Sequence, residues 1–511
     1  MDNTQHSVTW KDTLLALKHR PVLNMLFLGF SAGLPLLLIF SSLSIWLREA
    51  GLERSAVTYF SWAALGYSFK FVWAPLVDCL PIPFLTKAMG LRRSWLLCAQ
   101  LSIAGAILLM GYSNPADTDQ LFWMAVGAVW LGFSAATQDI CIDAYRIEAA
   151  KATLQGYMSA TYVTGYRIGM IVAGAGALYL AEFFGTSKEH YIYDAWRWTY
   201  QLMSLCMIVG VVTTFLVQEP ITRPQNIKYG RSDYLGLVLV FALSVMGFVV
   251  VFTLSADLVT SIKADFKGSH AMAFLIELIR LKIAVLSALS VAKAAMALSF
   301  TNRHLVEESY ISPVRSFFNQ YGLHTAWLLL ALVGLYRISD IVLGVISNVF
   351  YQDLGFTNTE IADAVKVFGL IMSILGAFLG GGLAVKFGVM RSLYLGGVLV
   401  IVTNLLFIVL YYFGHNIPLL YTVVAADNLV AGLASAAFVA FLSRLVNVRF
   451  TAMQYAIFSS LMTLIPKLLG GYSGSIVESV GYPYFFLFAS ALGVPVLILI
   501  VLAAKAFRLK D

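Results

Sequence analysis

Two carboxylates lie four residues apart in an apolar stretch of the sequence, where ionisable side chains are rare. A helix would present Asp139 and Asp143 on one face. Two like charges in a medium of low dielectric constant favour uptake of a proton by one of them. Arg146 lies three residues after Asp143 and offers it a partner, although that pair can also serve only to anchor the helix end. The spacing predicts a site that binds and releases a proton.

Further charged residues occupy similar apolar stretches, where each costs about 2.5–3.5 kcal/mol to insert at the membrane centre. Such residues must line a hydrated path or pair with one another. They are Lys70, Arg167, Arg337, Asp340, Lys366, Asp427 and Lys467. Arg167 lies between Gly165 and Gly169, and it either holds a substrate carboxylate or forms an ion pair with Asp139. Lys366 is predicted to bind an anion.

Other charges in this set each leave two interpretations. Lys70 either serves the path or extends to the membrane interface. Arg337 and Asp340 are three residues apart, so they either pair with each other or contact a substrate. Pro466 directly precedes Lys467, which predicts a broken helix or, as a second alternative, a ligand-binding residue.

Polar and aromatic neighbours complete the predicted substrate site. They are Gln138, Tyr166, Tyr336 and Asn428. Asp427 and Asn428 either bind sugar hydroxyls or stabilise a helix kink. Tyr166 and Tyr336 either stack on sugar rings or pack in the core.

The composition identifies the class of protein that must position these residues. The chain has 511 residues, 60% hydrophobic and 12% charged, and its mean hydropathy is +0.82. Soluble domains carry roughly 25% charged residues, and a chain this apolar cannot cover a soluble surface with polar groups. The composition excludes soluble, disordered and fibrous classes and predicts an all-α polytopic membrane protein. The net charge of +7 is typical of basic loops on one side of a membrane, and we predict no nucleic-acid partner.

Apolar segments of about 20 residues predict fourteen membrane spans. The spans cover residues 22–47, 56–79, 94–112, 120–147, 154–183, 198–217, 233–254, 282–300, 324–350, 359–385, 392–413, 418–443, 451–477 and 483–504. Most Lys and Arg residues outside the spans fall on the side of the N-terminus, which predicts that both termini are cytoplasmic.

The spans divide as six, two and six. A turn of small residues followed by basic residues recurs at equivalent places in the two sets of six, as in transporters built from two parallel halves. We therefore predict three regions: an N-terminal six-helix bundle (1–218), linkers with two additional helices (219–322), and a C-terminal six-helix bundle (323–511).

Sequence signals of an enzyme, an ATP-driven pump or a metal site are absent. The chain has no GxxxxGK[ST] motif, no HExxH and no nucleophile elbow. Its seven His residues lie near the chain ends or in loops, and its four Cys residues lack zinc spacing. We predict that the protein is not an enzyme and holds neither a cofactor nor a metal.

Several stretches resemble the AmpG-type muropeptide permeases of the major facilitator superfamily. They are residues 29–36, 67–78, 92–97, 134–145, 165–170, 335–340, 435–440 and 452–457, together with Lys366. The resemblance covers both six-helix halves, and it is most specific around Gln138, Asp139 and Asp143 and around Lys70. It implies two six-helix bundles with alternating access, to which two extra helices are added here.

The resemblance also implies a function. It implies proton-coupled import of GlcNAc-1,6-anhydro-MurNAc peptides (muropeptides) across the bacterial inner membrane, from periplasm to cytoplasm. Such import serves peptidoglycan recycling and is linked to β-lactamase induction and β-lactam resistance. The implied partners are the muropeptide, protons and the lipid bilayer, and the implied state is a monomer. Asp78, Gly90, Arg92 and Arg93 resemble the cytoplasmic loop that latches the halves, lengthened here by residues 81–86.

Two other functions remain open from the sequence. A major facilitator for another bulky anion, such as an acetyl-CoA-like nucleotide thioester, would need the same cations. A membrane scaffold or sensor acting through residues 219–322 would gain nothing from so many charges within its spans.

Overall fold

The computed structural model of the protein describes residues 19–52, 65–150, 154–187, 190–220, 229–265, 270–470 and 472–508. Within these ranges the chain forms helices joined by short turns, without a β-strand. The residues divide into two compact units. The first comprises residues 1–77, 81–222 and 317–511, and the second comprises residues 78–80 and 223–316.

The N-terminal half of the first unit consists of apolar helices interrupted by short turns. Its helices are α1 (Arg20–Ile39), α2 (Ser41–Glu49), α3 (Leu65–Phe69), α4 (Ala74–Cys79), α5 (Leu85–Met89), α6 (Leu91–Gly111), α7 (Thr118–Glu148), α8 (Gln155–Ile171), α9 (Ala177–Phe183), α10 (Tyr193–Cys206) and α11 (Ile208–Leu216). A 3₁₀ turn at Lys70–Val72 separates α3 from α4, and a π-helical turn at Val172–Gly176 joins α8 to α9. Asp117 begins α7, because its carboxylate accepts a hydrogen bond from the Asp119 backbone N–H at 3.0 Å.

The second unit is built around a helical hairpin. Its helices are α12 (Arg231–Leu254), α13 (Ala256–Asp265), α14 (His270–Ala297) and α15 (Arg303–Val306), followed by a π-helical turn at Glu307–Ile311. Arg280 of α14 donates a hydrogen bond of 2.6 Å to the Phe252 carbonyl oxygen at the end of α12, and its guanidinium lies 3.9 Å from the Phe252 ring centroid. The arginine thus satisfies a carbonyl that the end of α12 leaves without a helical partner.

The C-terminal half completes the first unit. Helix α16 (Ser312–Tyr321) precedes α17 (Leu323–Leu335), α18 (Ile338–Asp353), α19 (Asn358–Ile361), α20 (Gly369–Phe387), α21 (Val389–Phe413), α22 (Ile417–Leu445), α23 (Thr451–Gly470), α24 (Ser473–Val480), α25 (Tyr482–Ala491) and α26 (Gly493–Arg508). A π-helical turn at Ala362–Phe368 joins α19 to α20. Pro466 lies inside α23, which continues to Gly470, so the helix break predicted at Pro466 and Lys467 is not at that position.

Eleven helices in the described ranges are long and apolar enough to cross a membrane. Three predicted spans are not among them, so the count of fourteen is not confirmed. Part of the predicted span 56–79 lies outside the described residues, and the rest is divided among α3, the 3₁₀ turn and α4. The predicted spans 282–300 and 451–477 fall on α14 and on the pair α23 and α24. The prediction of an all-α polytopic membrane protein is confirmed.

Glycines allow α1 and α8 to pack with their backbones in contact. A Cβ atom at Gly165 would lie 1.9 Å from the Leu26 carbonyl oxygen, and one at Gly169 would lie 2.2 Å from the Phe30 carbonyl oxygen. On the facing helix, a Cβ atom at Gly33 would lie 2.0 Å from the Tyr166 carbonyl oxygen. The close helix packing expected at Gly165 and Gly169 is therefore present, and it fixes the position of α8.

The two halves of the first unit meet at one set of helix ends, which we call the Glu148 face. It includes the end of α7 at Glu148, the start of α8 at Gln155, the end of α22 at Leu445 and the start of α23 at Thr451. Ile147 of α7 packs within the core of the C-terminal half. A Cβ atom at Gly156 of α8 would lie 2.9 Å from the Gly381 carbonyl oxygen of α20. The halves are thus closed against each other at this face.

Candidate functional site

Helix α7 carries the two predicted carboxylates, and both are buried. Lys70, on the 3₁₀ turn after α3, lies between them: its Nζ is 3.9 Å from Asp139 Oδ2 and 3.7 Å from Asp143 Oδ2. Trp73 holds this turn against α7 because its indole N–H donates to Thr137 Oγ1 at 3.1 Å. The predicted common face of Asp139 and Asp143 is present, and Lys70 pairs with these carboxylates rather than extending away from them.

Arg146 extends this row of charges toward the Glu148 face. Its guanidinium lies 3.4 Å from Asp143 Oδ1 and donates to Ser443 Oγ at 2.6 Å. It also lies 5.1 Å from the centroid of the Tyr455 ring, and its side chain is 0% exposed. Carboxylates and cations therefore alternate in the order Asp139, Lys70, Asp143 and Arg146, so the row is neutral when both carboxylates are ionised.

Several buried polar atoms beside this row have no hydrogen-bond partner among the described residues. They are both amide atoms of Gln138, Oδ1 of Asp139 and the hydroxyl of Tyr67. A buried polar atom without a partner costs about 1–3 kcal/mol, so these atoms are arranged for a ligand or for water. Tyr67 was not among the predicted site residues. Its position three residues before Lys70 was the available signal, because a helix places residues i and i+3 on one face.

Arg167 and the charged pair of the C-terminal half form a second polar group. Arg337 and Asp340 form an ion pair at the break between α17 and α18, as one of the two interpretations predicted. Arg167 of α8 interacts electrostatically with both Arg337 and Asp340, and it forms no ion pair with Asp139. Asp427 of α22 interacts in turn with Asp340. Two cations and two acids from the two halves thus face one another.

The remaining predicted residues of the C-terminal half differ in their surroundings. Tyr336 is 8% exposed, stacks on Phe438 at 4.4 Å and donates to the Leu393 carbonyl oxygen, which favours the packing role. Asn428 donates to the Val424 carbonyl oxygen of its own helix at 3.0 Å. Lys366 lies on the π-helical turn at Ala362–Phe368, and its side chain lies outside the described part of the chain.

The predicted latch residues are linked to acids that the sequence did not single out. Nε and Nη2 of Arg92 donate to the Glu148 carboxylate, at 3.0 and 2.7 Å, and both side chains are 2% exposed. Glu219, beyond the end of α11, accepts from the backbone N–H groups of Arg92 and Arg93 at the start of α6. Burial raises the pKa of Glu219, although these two N–H groups favour its ionised form. Asp78 belongs to the second unit.

Gly90 has two reasons to be a glycine. Its φ is +91°, in the region that favours glycine, and a Cβ atom there would lie 2.3 Å from the carboxyl carbon of Glu219. Across the Glu148 face, the hydroxyl of Thr451 on α23 contacts the Glu148 carboxylate. Helix ends that carry charges are common, so neither Glu148 nor Glu219 was distinguishable from a solvated residue in the sequence.

No group of three or more metal-binding side chains is present in the described ranges. The residues described above supply charges, amides and phenols: they can exchange a proton at a carboxylate, hold anions with Lys70 or Arg167, and bind an ammonium group at an acid.

Comparisons with known proteins identify the family of transporters that this chain resembles. The sequence profile of the Major Facilitator Superfamily matches residues 22–303. AmpG 4 of Rickettsia conorii is 30% identical over 478 residues, covering 94% of this chain and 95% of that protein. The anhydromuropeptide permease of Escherichia coli K12 is 29% identical over 485 residues, covering 95% of this chain and 80% of that protein.

Solved structures show the same fold. The E. coli fucose:proton symporter FucP superposes with a TM-score of 0.60 at 10% identity, covering 94% of this chain and 98% of that chain. The human organic anion transporter MFSD10 superposes with a TM-score of 0.56 at 13% identity, covering 94% of this chain and 99% of that chain.

Proposed function

Because the chain belongs to the AmpG-type transporters of the major facilitator superfamily, and is thus a membrane transporter rather than an enzyme, we propose that it imports muropeptides together with protons. The substrate is a GlcNAc-1,6-anhydro-MurNAc peptide, carried from the periplasm to the cytoplasm. The name of the E. coli relative supports this substrate. The observation in this chain that carries the proposal is the buried row from Asp139 to Arg146, flanked by unpartnered polar atoms.

The looseness of the Lys70 contacts supports binding of a charged ligand. Charge-assisted hydrogen bonds between nitrogen and oxygen are about 2.7–2.9 Å long, whereas Lys70 Nζ lies 3.7 and 3.9 Å from its two carboxylates. An ammonium group shared between two acids at such distances can exchange one of them for a substrate carboxylate. The acid that it leaves then becomes the natural acceptor of a proton. Substrate and proton binding are coupled by this exchange.

The groups that face Arg167 supply a second place for the substrate. Arg167 and Arg337 repel each other in the absence of an anion, so a substrate carboxylate between them would relieve that repulsion. Asp427 interacts with Asp340, and it forms no ion pair with another described residue, so it suits the amine of a peptide. We assign the sugar hydroxyls and acetamides to Gln138, Tyr166 and Tyr67. Tyr67 takes the place that the sequence analysis gave to Tyr336.

The basic loops support an orientation of the chain in the membrane. The Glu148 face would be cytoplasmic, with both chain ends on that side of the bacterial inner membrane. Import of muropeptides would serve peptidoglycan recycling, and with it β-lactamase induction. Each monomer carries a complete row of charges and therefore suffices for transport.

Competition for uptake tests the substrate class. The GlcNAc-1,6-anhydro-MurNAc disaccharide without its peptide should inhibit uptake of labelled muropeptide, and acetyl-CoA should not, because the site offers amides and phenols for sugars. Inhibition by acetyl-CoA alone would assign the site to a nucleotide thioester instead.

The Asp139→Asn variant tests the proton role. It keeps the shape of the side chain but cannot be ionised, so it should abolish the stimulation of uptake by a proton gradient while the protein stays folded in the membrane. Asp119→Asn, at an exposed acid in the first turn of the same helix, is the matched control and should transport normally. Proton-stimulated uptake by Asp139→Asn at the wild-type rate would refute the coupling role.

A further inference from the structure

Arg146 is placed to transmit the state of the carboxylates to the contact between the two halves. It comes from α7 of the N-terminal half, yet its guanidinium touches Ser443 of α22 and Tyr455 of α23 in the C-terminal half. The same guanidinium lies 3.4 Å from Asp143 Oδ1. Arg92 and Glu148 also reach Thr451 across the Glu148 face.

Closure of the Glu148 face places this cation where it needs a negative partner. Arg146 is 0% exposed, and a buried charge without its partner is strongly destabilising. Ser443, Ser159 and Tyr455 offer it only hydroxyl oxygens and a ring face. Asp143 is therefore the group that neutralises Arg146 when the halves are closed.

Other ionisable groups in the surroundings do not replace Asp143. Lys70 lies on the far side of Asp143, and Asp139 lies beyond Lys70 and pairs with it. Tyr162 of α8 and Tyr455 of α23 interact electrostatically with Arg146, and Tyr166 interacts with Asp139 and Asp143. A phenol carries no charge near neutral pH. Once Asp143 accepts a proton, none of these groups supplies a negative charge next to the guanidinium.

We propose that Arg146 opens the Glu148 face when Asp143 accepts a proton. The proton binds to a carboxylate oxygen of Asp143, the Arg146–Asp143 ion pair is lost, and the guanidinium can be stabilised only by water. Water reaches it when α22 and α23 separate from α7. Asp143 then faces the opened side and releases its proton there, after which the ion pair forms again and the halves close. Arg146 is a positioning residue in this cycle, and the inference rests on the proton-coupled transport proposed above.

The test measures opening of the Glu148 face without any substrate, so its outcome does not depend on the identity of the transported molecule. The four native cysteines are replaced in the parent chain, and Ala384→Cys on α20 provides a single reporter thiol. Position 384 is 2% exposed and lies near Gly156 of the other half. The rate of maleimide labelling in detergent reports how often this position is open. A second chain with Ala88→Cys, at an exposed position on α5, corrects for the pH dependence of the reagent.

The Asp143→Asn variant should label at least ten times faster than the parent at neutral pH, because its amide cannot neutralise Arg146. The double variant Asp143→Asn with Arg146→Gln should label as slowly as the parent, because no buried cation then requires water. If Arg146 only held the two halves together, the double variant should label even faster than Asp143→Asn, because removing Arg146 would further weaken the contact between the halves. Arg444→Gln, at an exposed arginine next to Ser443, is the control and should leave labelling unchanged.

A pH series on the parent chain keeps the inference testable if a variant does not fold. Corrected labelling of the Ala384→Cys thiol should rise as the pH is lowered, and the rise should be absent in Arg146→Gln. The inference is overturned if Asp143→Asn labels at the parental rate. It is equally overturned if the double variant labels as fast as Asp143→Asn, or if the pH response survives in Arg146→Gln.

Discussion

A methyl group at Gly165 should uncouple α8 from α1 and thereby displace the residues that α8 brings to the site. The Cβ atom of an alanine at this position would lie 1.9 Å from the Leu26 carbonyl oxygen and 2.9 Å from the Phe30 backbone nitrogen. Cβ atoms essentially never approach other atoms within 3.0 Å, so the helices must separate by about 1 Å or more. The obstacle is backbone, which cannot move aside as a flexible side chain can.

The size of the effect follows from the cost of overpacking. Forcing an additional carbon into a close-packed contact costs about 1–3 kcal/mol, and each 1.4 kcal/mol corresponds to about a factor of ten. Alanine recovers about 1 kcal/mol through its better helix propensity, so the net destabilisation should be about 0–2 kcal/mol. The initial rate of uptake should also fall, because Tyr166 and Arg167 follow directly after Gly165 and move with α8.

Thermal unfolding and initial uptake rates of Gly165→Ala measure these two consequences. Gly176→Ala is the matched control on the same membrane segment, because the nearest atom to its Cβ would be 3.8 Å away. We expect the control to behave as the wild type or to be slightly more stable. A Gly165→Ala variant that melts and transports like Gly176→Ala would show that α1 and α8 do not pack through this contact, and the reasoning would fail.

Two further predictions concern polar contacts. Glu148→Gln should lower the melting temperature strongly, because removing one partner of a buried ion pair costs about 3–5 kcal/mol and its partner Arg92 is 2% exposed. Glu478→Gln, at an exposed acid, is the control, and equal melting temperatures of the two variants would contradict the prediction. Tyr67→Phe should fold normally but raise the KM for uptake about fivefold, which is the loss of one hydrogen bond of about 1 kcal/mol. Tyr179→Phe, at an exposed tyrosine, controls for that change, and an unaltered KM in Tyr67→Phe would show that the hydroxyl faces no substrate.

The sequence predicted features that depend on spacing along one helix. The four-residue spacing of Asp139 and Asp143 places them on one face of α7 wherever that helix packs, and the three-residue spacing of Arg337 and Asp340 lets them pair. The apolar composition predicted the helical membrane fold for the same reason, since backbone groups in lipid must be satisfied within each segment.

Features that depend on which helices become neighbours could not be predicted in this way. The position of Lys70 between the two carboxylates depends on a 3₁₀ turn packed against α7, and the sequence left its role undecided. Tyr455 and Ser443 are ordinary residues of apolar helices, and only the closure of the halves brings them to Arg146. Tyr336 was placed among the substrate-binding residues because it shares a span with charged groups, with core packing as the alternative. Its ring is turned toward Phe438, which favours packing.

Uptake into proteoliposomes tests the central claim most directly. Purified protein would be reconstituted, and accumulation of labelled GlcNAc-anhydroMurNAc-tripeptide would be followed with and without an inward-directed proton gradient. We predict accumulation above the external concentration that requires the gradient and collapses when an uncoupler is added. Absence of uptake by protein shown to be folded and inserted would contradict the substrate assignment, and uptake that is indifferent to the gradient and the uncoupler would contradict proton coupling.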